Sequence, residues 1–272
     1  MNLSVVIPAF NEVETLAEVV RLVRAAAGDA VEILVVDDGS TDGTVEVLQG
    51  LEEAGAVRAF YHSQNRGKGA AVRLGIAAAT GDIVLVQDAD LEYDPADYAK
   101  LLEPIEAGRA DVVYGSRFTG DSEGWWWRQW LGNKTLTWLS NRLTGWRITD
   151  METCYKVFRR PLIQAVVLES DRFGFEPEVT AKVAGVPGVV MEEVPIRYRG
   201  RGYGEGKKIT WRDGLAAIGT ILKYNLVQDR TGWYVGPLEE VEGMIGPRGN
   251  DALPDQDDQM NATGQQTLKS TR

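Results

Sequence analysis

Residues 31–44 read VEILVVDDGSTDGT, a short apolar run followed by a turn rich in carboxylates and glycine. The run from Val31 to Asp37 is mostly β-branched, which is typical of a strand buried on both faces. Residues 40–42 (STD) form an N-cap cluster, and apolar residues recur at helical spacing through Leu51. The stretch therefore predicts a strand, a polar turn and a helix.

The same unit recurs on both sides of this stretch. Further short apolar runs end in polar or glycine residues, and segments with helical spacing separate them. The runs are Leu3–Pro8, Val57–Tyr61, Ile83–Gln87 and Asp111–Gly115. This alternation predicts right-handed βαβ units and an α/β fold with a mainly parallel sheet. Ligands of such sheets bind beyond the carboxyl ends of the strands.

The remainder of the chain is less regular. We expect a helix from Pro161, a strand or hairpin arm over residues 186–198, a glycine-rich loop over 199–206 and a helix over 210–225. From about Gly236 the chain is polar, acidic and without periodicity, as in disordered segments. We therefore predict a catalytic domain over residues 1–228 and a disordered acidic tail over 229–272.

Composition excludes several classes of protein. The net charge of −11 argues against a nucleic-acid partner. One cysteine (Cys154) and one histidine (His62) exclude an internal disulfide and a zinc site built on cysteine or histidine clusters. The sequence shows no signal peptide, and its longest late apolar stretch is shorter than the roughly 20 residues that span a bilayer. We expect a cytoplasmic protein without a transmembrane helix.

Carboxylates follow two of the predicted strands. Asp37 and Asp38 can accept hydrogen bonds from a nucleobase or a ribose, although an ordinary βα turn explains them equally well. Asp88 and Asp90, two residues apart after the fourth strand, offer hard oxygen ligands for Mg²⁺ or Mn²⁺, and the ion would neutralise a diphosphate. Together these positions predict a nucleotide-diphosphate site.

Basic residues suit the same ligand. Arg117 follows the fifth strand and is expected to contact a phosphate bidentately. Six basic residues among four glycines, with Glu205 as the only acid, predict a lid over residues 199–208 and its flanks that closes on phosphates. They are Arg197, Arg199, Arg201, Lys207, Lys208 and Arg212. The alternatives are a surface arginine and a solvated basic loop.

Tryptophans cluster in the middle of the chain. Six of eight lie between residues 125 and 146, and three of them are adjacent, so one helix face cannot bury them all. They are Trp125, Trp126, Trp127, Trp130, Trp138 and Trp146. We expect this stretch to dock on a membrane surface, the alternative being that the rings pack on the sheet or in a dimer contact.

The ordered set of motifs resembles the family 2 glycosyltransferases of GT-A fold, and within them the dolichol-phosphate and polyprenyl-phosphate mannosyl- and glucosyltransferases. The resemblance covers roughly residues 1–228. Its motifs are VVIPAFNE, VVDDGSTDGT, NRGKGAAVRLGIAAATGD, the DAD triplet, VVYGSRF, TDMETCYKVFRR and VPIRYRGRGYGEGKKITWRDG. It implies a GT-A nucleotide-diphospho-sugar transferase fold, with a mainly parallel central sheet flanked by helices.

The resemblance also implies roles for individual residues. Nucleotide binding would involve Pro8, Phe10, Glu12, Asp37, Asp38, Lys68, Asp88 and Ala89. The metal, Mg²⁺ or Mn²⁺, would be held by Asp88, Asp90 and Glu92. Glu92 replaces the glutamine that is usual in dolichol-phosphate mannose synthases. This difference leaves the identity of the donor sugar open. The catalytic side chains would be Asp90, Arg117 and Arg201. Phosphates of donor and acceptor would contact Arg117, Arg199, Arg201, Lys207 and Lys208.

The implied enzyme is an inverting, metal-dependent transferase. It would move mannose or glucose from GDP-mannose or UDP-glucose to a polyprenyl or dolichyl phosphate, in peripheral contact with the cytoplasmic face of a membrane. The alternative is transfer to a hydroxyl acceptor in cell-surface glycan synthesis, with Asp150 or Glu176 as the base. A nicotinamide-dependent oxidoreductase is disfavoured because PAFNE stands where G-x-G-x-x-G is required. A catalytically silent binding protein is disfavoured because both metal acids are present.

Overall fold

The computed structural model describes residues 1–123, 127–200 and 211–246, the side chains of 123, 127–128 and 211–213 excepted. Its strands are β1 (Leu3–Ala9), β2 (Glu32–Asp37), β3 (Arg58–Tyr61), β4 (Ile83–Val86), β5 (Val112–Ser116), β6 (Ser122–Glu123), β7 (Lys156–Arg159), β8 (Met191–Pro195) and β9 (Tyr198–Arg199). Seven of them form a central sheet in the order β3-β2-β1-β4-β7-β5-β8, and β6 pairs with β9 in parallel. The predicted α/β fold with a mainly parallel sheet is confirmed.

Helices flank this sheet. They are α1 (Leu16–Ala27), α2 (Thr44–Glu53), α3 (Lys68–Ala78), α4 (Tyr98–Glu106), α5 (Trp127–Thr144), α6 (Arg160–Ala165), α7 (Phe175–Ala184), α8 (Trp211–Leu222) and α9 (Leu238–Glu242), with a π-helical turn over Lys223–Val227 after α8. In α1 the buried residues Leu16, Val19, Val20 and Val23 fall on one helix face, which packs in the core. Burial of such apolar stripes stabilises the layers.

β7 is the strand that the sequence analysis missed. It lies antiparallel between β4 and β5, whereas β1, β2, β3 and β4 are mutually parallel and β5 pairs with β8 in parallel. β7 has four residues and begins with the charged Lys156, so its sequence does not read as a buried apolar run. Because β7 runs in the opposite direction, the loop before Lys156 lies at the same edge of the sheet as the carboxyl ends of β4 and β5.

The boundary predicted after residue 228 is corrected by the packing of residues 229–246. Trp233 is 2% exposed and Val241 is fully buried. The amide of Val235 donates to the carbonyl of Ala165 (2.8 Å), and Gly246 N donates to Asp111 Oδ1 (3.0 Å). These isolated apolar residues carry no periodic signal, so the sequence analysis assigned them to the tail. The rest of the predicted tail, 247–272, lies outside the described residues.

Candidate active site

The loops after β1 and β2 are joined by hydrogen bonds at the carboxyl edge of the sheet. Asn11 has a left-handed backbone conformation (φ 54°), and its backbone amide donates to Ser40 Oγ (2.9 Å). Its side-chain Oδ1 accepts from the backbone amide of Thr41 (2.8 Å). The amide of Glu12 donates to Thr44 Oγ1 (2.9 Å). The predicted nucleotide residues of the PAFNE and DDGSTDGT motifs therefore lie in one preorganised unit.

Asp38 holds a loop. Its Oδ1 accepts from Arg66 N (2.9 Å) and lies 2.7 Å from His62 Nδ1, while its Oδ2 accepts from Gly67 N (2.7 Å). Gly39 allows that loop to approach, because a Cβ on Gly39 would lie 2.6 Å from the carbonyl carbon of Gln64. Both carboxylate oxygens of Asp38 therefore position residues 62–67, and its direct contact with a base or ribose stays a prediction.

Asp37 is the carboxylate with acceptor capacity left. Its Oδ2 accepts from the amides of Gly39 (3.0 Å) and Ser40 (3.1 Å). Its Oδ1 is buried and has no hydrogen-bond partner among the described residues. A buried acceptor without a partner costs free energy, which a donor group of a ligand would recover.

Lys68, the first residue of α3, connects two acids across the site. Its Nζ lies 2.9 Å from Asp88 Oδ1 and 3.2 Å from Glu176 Oε1. Burial alone would raise the pKa of Asp88, but the ammonium of Lys68 outweighs it and lowers that pKa. Burial alone would lower the pKa of Lys68, but Asp88 and other anionic neighbours raise it well above its usual value. Both groups are therefore ionised at neutral pH.

The other two predicted metal acids follow Asp88 in the same loop. Asp90 Oδ1 accepts from the amide of Glu92 (3.1 Å). Glu92 Oε2 accepts from the hydroxyl of Tyr198 (2.7 Å), and its carbonyl accepts from Arg199 N (2.9 Å). β9 is thus bound to the acidic loop, which brings the start of the predicted lid to this edge.

The predicted three-acid metal site is not assembled. No group of three or more His, Cys, Asp or Glu side chains that can hold an ion occurs in the described part of the chain. Asp88 is paired with Lys68, and Glu92 with Tyr198. The donor set still fits Mg²⁺ or Mn²⁺, since such ions are commonly held by one or two carboxylates while substrate phosphates supply other ligands. Asp88 and Asp90 would be those two carboxylates.

Arg117 contacts a carboxylate where the sequence predicts a phosphate. Its Nε lies 2.6 Å from Asp150 Oδ2, its NH2 lies 2.8 Å from Asp150 Oδ1, and its backbone amide also donates to Asp150 (3.1 Å). Burial alone would lower the pKa of Arg117, but the carboxylate of Asp150 raises it well above the usual value. Arg117 thus forms a bidentate ion pair with Asp150, and its contact with a phosphate stays a prediction. Asp150, fully buried in that pair, is unsuited to be a base.

Glu152 and Lys156 are site residues to which the sequence analysis gave no role. Burial, and then the carboxylate of Glu176, raise the pKa of Glu152 to about 8. Burial lowers the pKa of Lys156 to about 8, against the attraction of Glu176 and Glu152. Lys156 Nζ donates to the carbonyls of Met151 (2.9 Å) and Thr153. Lys156 inside the apolar run TCYKVF, and Glu152 directly before that run, were the signal that could have found them.

Glu152→Gln should stabilise the protein as the pH rises from 4.5 towards 8. Between the ordinary pKa of 4.5 and the folded pKa of about 8, the folded protein holds a proton on Glu152 that the unfolded chain has lost, so the wild type loses stability as the pH rises. Glutamine resembles the protonated acid and avoids this loss. Urea unfolding should give an advantage of about 1–3 kcal/mol at pH 7 and less at pH 5.

The exposed Glu106→Gln is the control for Glu152→Gln, because it removes the same charge outside the core. The difference in free energy of unfolding between Glu106→Gln and wild type should not increase between pH 5 and pH 7. An equal stability difference at both pH values for Glu152→Gln would contradict the assigned burial of its carboxyl.

Other predicted positions are only partly placed. Ala89 is 3% exposed and belongs to the core, so a nucleotide can reach only its backbone. Arg199 is exposed on β9. Trp130 (46%) and Trp138 (65%) are exposed, whereas Trp146 packs edge-on against Tyr114. Arg201, Lys207, Lys208, Trp125 and Trp126 lie outside the described residues, as does the side chain of Trp127.

The chain is similar in sequence to known proteins. Residues 4–167 match the model of glycosyl transferase family 2. The chain is 34% identical over 213 residues to a polyprenol monophosphomannose synthase of Mycolicibacterium smegmatis, covering 75% of this chain and 79% of that protein. It is 32% identical over 209 residues to an undecaprenyl-phosphate 4-deoxy-4-formamido-L-arabinose transferase of Pseudomonas aeruginosa, covering 75% of this chain and 59% of that longer protein.

Solved structures share the fold. Glucosyl-3-phosphoglycerate synthase from Mycobacterium tuberculosis, in complex with Mn²⁺, uridine diphosphate and glucosyl-3-phosphoglycerate, superimposes with a TM-score of 0.65 at 22% identity, covering 84% of this chain and 81% of that one. A second crystal structure of that synthase gives a TM-score of 0.66 at 22% identity, over 84% and 82% of the two chains. At this identity the likeness concerns the fold.

Proposed function

Since this chain belongs to glycosyl transferase family 2, we propose that it transfers a hexose from a nucleotide-diphosphate sugar to a polyprenyl or dolichyl phosphate, with inversion at the sugar. The proposal is supported by the contact of Lys68 with Asp88, whose loop also carries Asp90, at the same edge of the sheet as the two loops joined through Asn11. Carboxylates for a metal and an ammonium for a phosphate suit a diphosphate leaving group. The named relatives support a lipid-phosphate acceptor, with mannose or glucose as the sugar and GDP-mannose or UDP-glucose as the donor.

The ion pairs favour a phosphate acceptor over a hydroxyl. A hydroxyl needs a general base, and the two sequence candidates are engaged: Asp150 pairs with Arg117, and Glu176 with Lys68. A phosphate monoester is already largely ionised near neutral pH and can attack without a base. The chain's task is then to position two anions and to neutralise their charge.

The chain's own groups divide this task. A divalent ion, when bound, would neutralise the departing diphosphate. Asp88 and Asp90 would hold that ion, and Lys68 would face the same phosphates. Asp37, whose Oδ1 has no hydrogen-bond partner among the described residues, would accept from the base or ribose, and the 199–208 segment would contact acceptor and donor phosphates.

A membrane surface would supply the lipid acceptor, and one face of the protein suits peripheral contact with it. α5 exposes Trp130, Leu131 and Trp138, and the adjacent α8 with its π-helical turn exposes Leu215, Leu222, Leu226 and Val227. Exposed tryptophan and leucine on neighbouring helices are typical of interfacial binding. We call these residues the α5–α8 face and assign it to the cytoplasmic leaflet.

None of the helices within the described residues has the length and hydropathy required to cross a bilayer.

Replacing Trp138 and Leu226 together by Ser should weaken binding to vesicles of anionic phospholipid by about tenfold, because two apolar side chains no longer leave water. Co-sedimentation measures the bound fraction. The control is Tyr61→Ser, which removes an aromatic side chain 42% exposed on the edge strand β3. Equal vesicle binding by all three proteins would exclude the α5–α8 face as the contact.

The function is tested by lipid extraction. Purified protein with Mg²⁺ or Mn²⁺ is incubated with radiolabelled GDP-mannose or UDP-glucose and with undecaprenyl or dolichyl phosphate, and label in the organic phase is counted. We expect the organic phase to contain label from one of the two donors, and only when the lipid phosphate is present. Transfer to a free polyprenol or a glycan, but not to the phosphate, would show the hydroxyl-acceptor enzyme instead.

A further inference from the structure

Lys68 lies where a divalent ion and its diphosphate would both need room. Its Nζ contacts Asp88 Oδ1 at 2.9 Å and Glu176 Oε1 at 3.2 Å. We propose that Lys68 is a positioning residue that occupies Asp88 until substrate arrives, so that a divalent ion binds tightly only together with the nucleotide diphosphate. This inference rests on the proposed function for the class of ligand, a nucleoside diphosphate with its metal.

Charge and burial oppose the binding of a bare ion. The side chains of Lys68, Asp88 and Glu176 are 18%, 20% and 5% exposed, so little water screens the three charges. Coulomb interactions strengthen as water is excluded, and like charges then repel strongly. A divalent ion on Asp88 would be a near neighbour of the ammonium, so it must first displace Lys68.

A diphosphate removes that opposition. It brings negative charge that can accept the ammonium when the ion takes Asp88. Glu176 can stay with the displaced lysine, because its Oε2 is buried and has no hydrogen-bond partner in the described part of the molecule. Lys68 therefore exchanges Asp88 for phosphate without becoming an unpaired buried cation, which would be costly.

Metal titration tests the exchange without relying on activity. Free Mn²⁺ is followed by electron paramagnetic resonance with protein alone, with GDP and with UDP. Wild type should bind Mn²⁺ at least about tenfold more tightly with one of these nucleotides. Lys68→Gln should bind bare Mn²⁺ at least about tenfold more tightly than wild type and lose most of the gain from nucleotide, because the competing cation is gone.

Glu176→Gln separates this role from a general structural one. It also breaks the Lys68–Glu176 contact, but it leaves the whole ammonium charge on Asp88, so bare Mn²⁺ should bind no more tightly than to wild type. Lys68→Arg keeps the cation and should restore weak binding of bare metal. Arg73→Gln, which breaks a 2.7 Å contact with Asp171 from the same helix, should match wild type throughout.

Three outcomes overturn the inference. Bare Mn²⁺ binding by Lys68→Gln no tighter than by wild type would show that Lys68 does not compete with the ion. If Glu176→Gln also bound bare Mn²⁺ more tightly than wild type, the tighter binding by Lys68→Gln would come from a loosened site and not from the loss of the lysine cation. Absence of Mn²⁺ binding with either nucleotide would overturn the inference and the metal requirement together, and transfer of sugar in EDTA would then show that the proposed function stands without a metal. If Lys68→Gln fails to fold, the wild-type titrations decide, and bare Mn²⁺ bound as tightly as Mn²⁺ with GDP or UDP would overturn the inference.

Discussion

Asp90→Asn should abolish sugar transfer, with kcat reduced at least about 100-fold, because a charge is lost from the two carboxylates proposed to hold the metal at the developing diphosphate. The fold should survive: Asp90 Oδ1 accepts from Glu92 N (3.1 Å), and an asparagine Oδ1 can accept the same bond. Initial rates with radiolabelled donor measure the loss, and circular dichroism verifies the fold.

Asp94→Asn is the matched control for this substitution. Asp94 lies in the same acidic segment, accepts from Ala96 N (2.9 Å) and pairs with Arg197 (2.9 Å), but is 44% exposed. Its loss removes one negative charge near the site without touching the pair, so most activity should remain. Full activity of Asp90→Asn, or activity undiminished by EDTA, would remove the metal from the mechanism.

Asp150→Asn should lower the free energy of unfolding by about 3–5 kcal/mol, because it leaves the buried guanidinium of Arg117 without its carboxylate. The pair is bidentate, with N to O distances of 2.6 and 2.8 Å, and both side chains are almost fully buried. Urea unfolding measures the change. Transfer should fall as well, because Arg117 loses the contact that fixes its orientation.

Arg109→Gln provides the comparison on the surface. Arg109 also faces a carboxylate bidentately, Glu103 at 2.6 and 2.5 Å, but both side chains are exposed. Its replacement should change stability far less than Asp150→Asn, since exposed pairs contribute little. Removing Arg117 and Asp150 together should cost less than Asp150→Asn alone, because no uncompensated charge remains. Equal losses for the buried and the exposed pair would contradict this account.

The sequence predicted the elements that repeat a local pattern. The sequence predicted five strands from short apolar runs, among them those that end in Asp37, Gln87 and Gly115. It also predicted the edge at which their polar ends meet, because parallel strands place their carboxyl ends together. β7 and the packed segment 229–246 were missed. Their stabilising contacts join residues far apart in the chain, such as Val235 with Ala165, and leave no periodic trace.

The sequence alone determined the α/β sheet, the acidic loop from Asp88 to Glu92 and the family, since hydrophobic spacing and ordered motifs are local properties of the chain. Only the tertiary structure decided the partner of each charge. Asp38 holds a loop while Asp37 keeps an unused oxygen, Arg117 pairs with Asp150, and Lys68 lies between Asp88 and Glu176. A sequence lists the acids and bases of a site, but burial forces each charge to pair with whichever opposite charge the fold brings within reach.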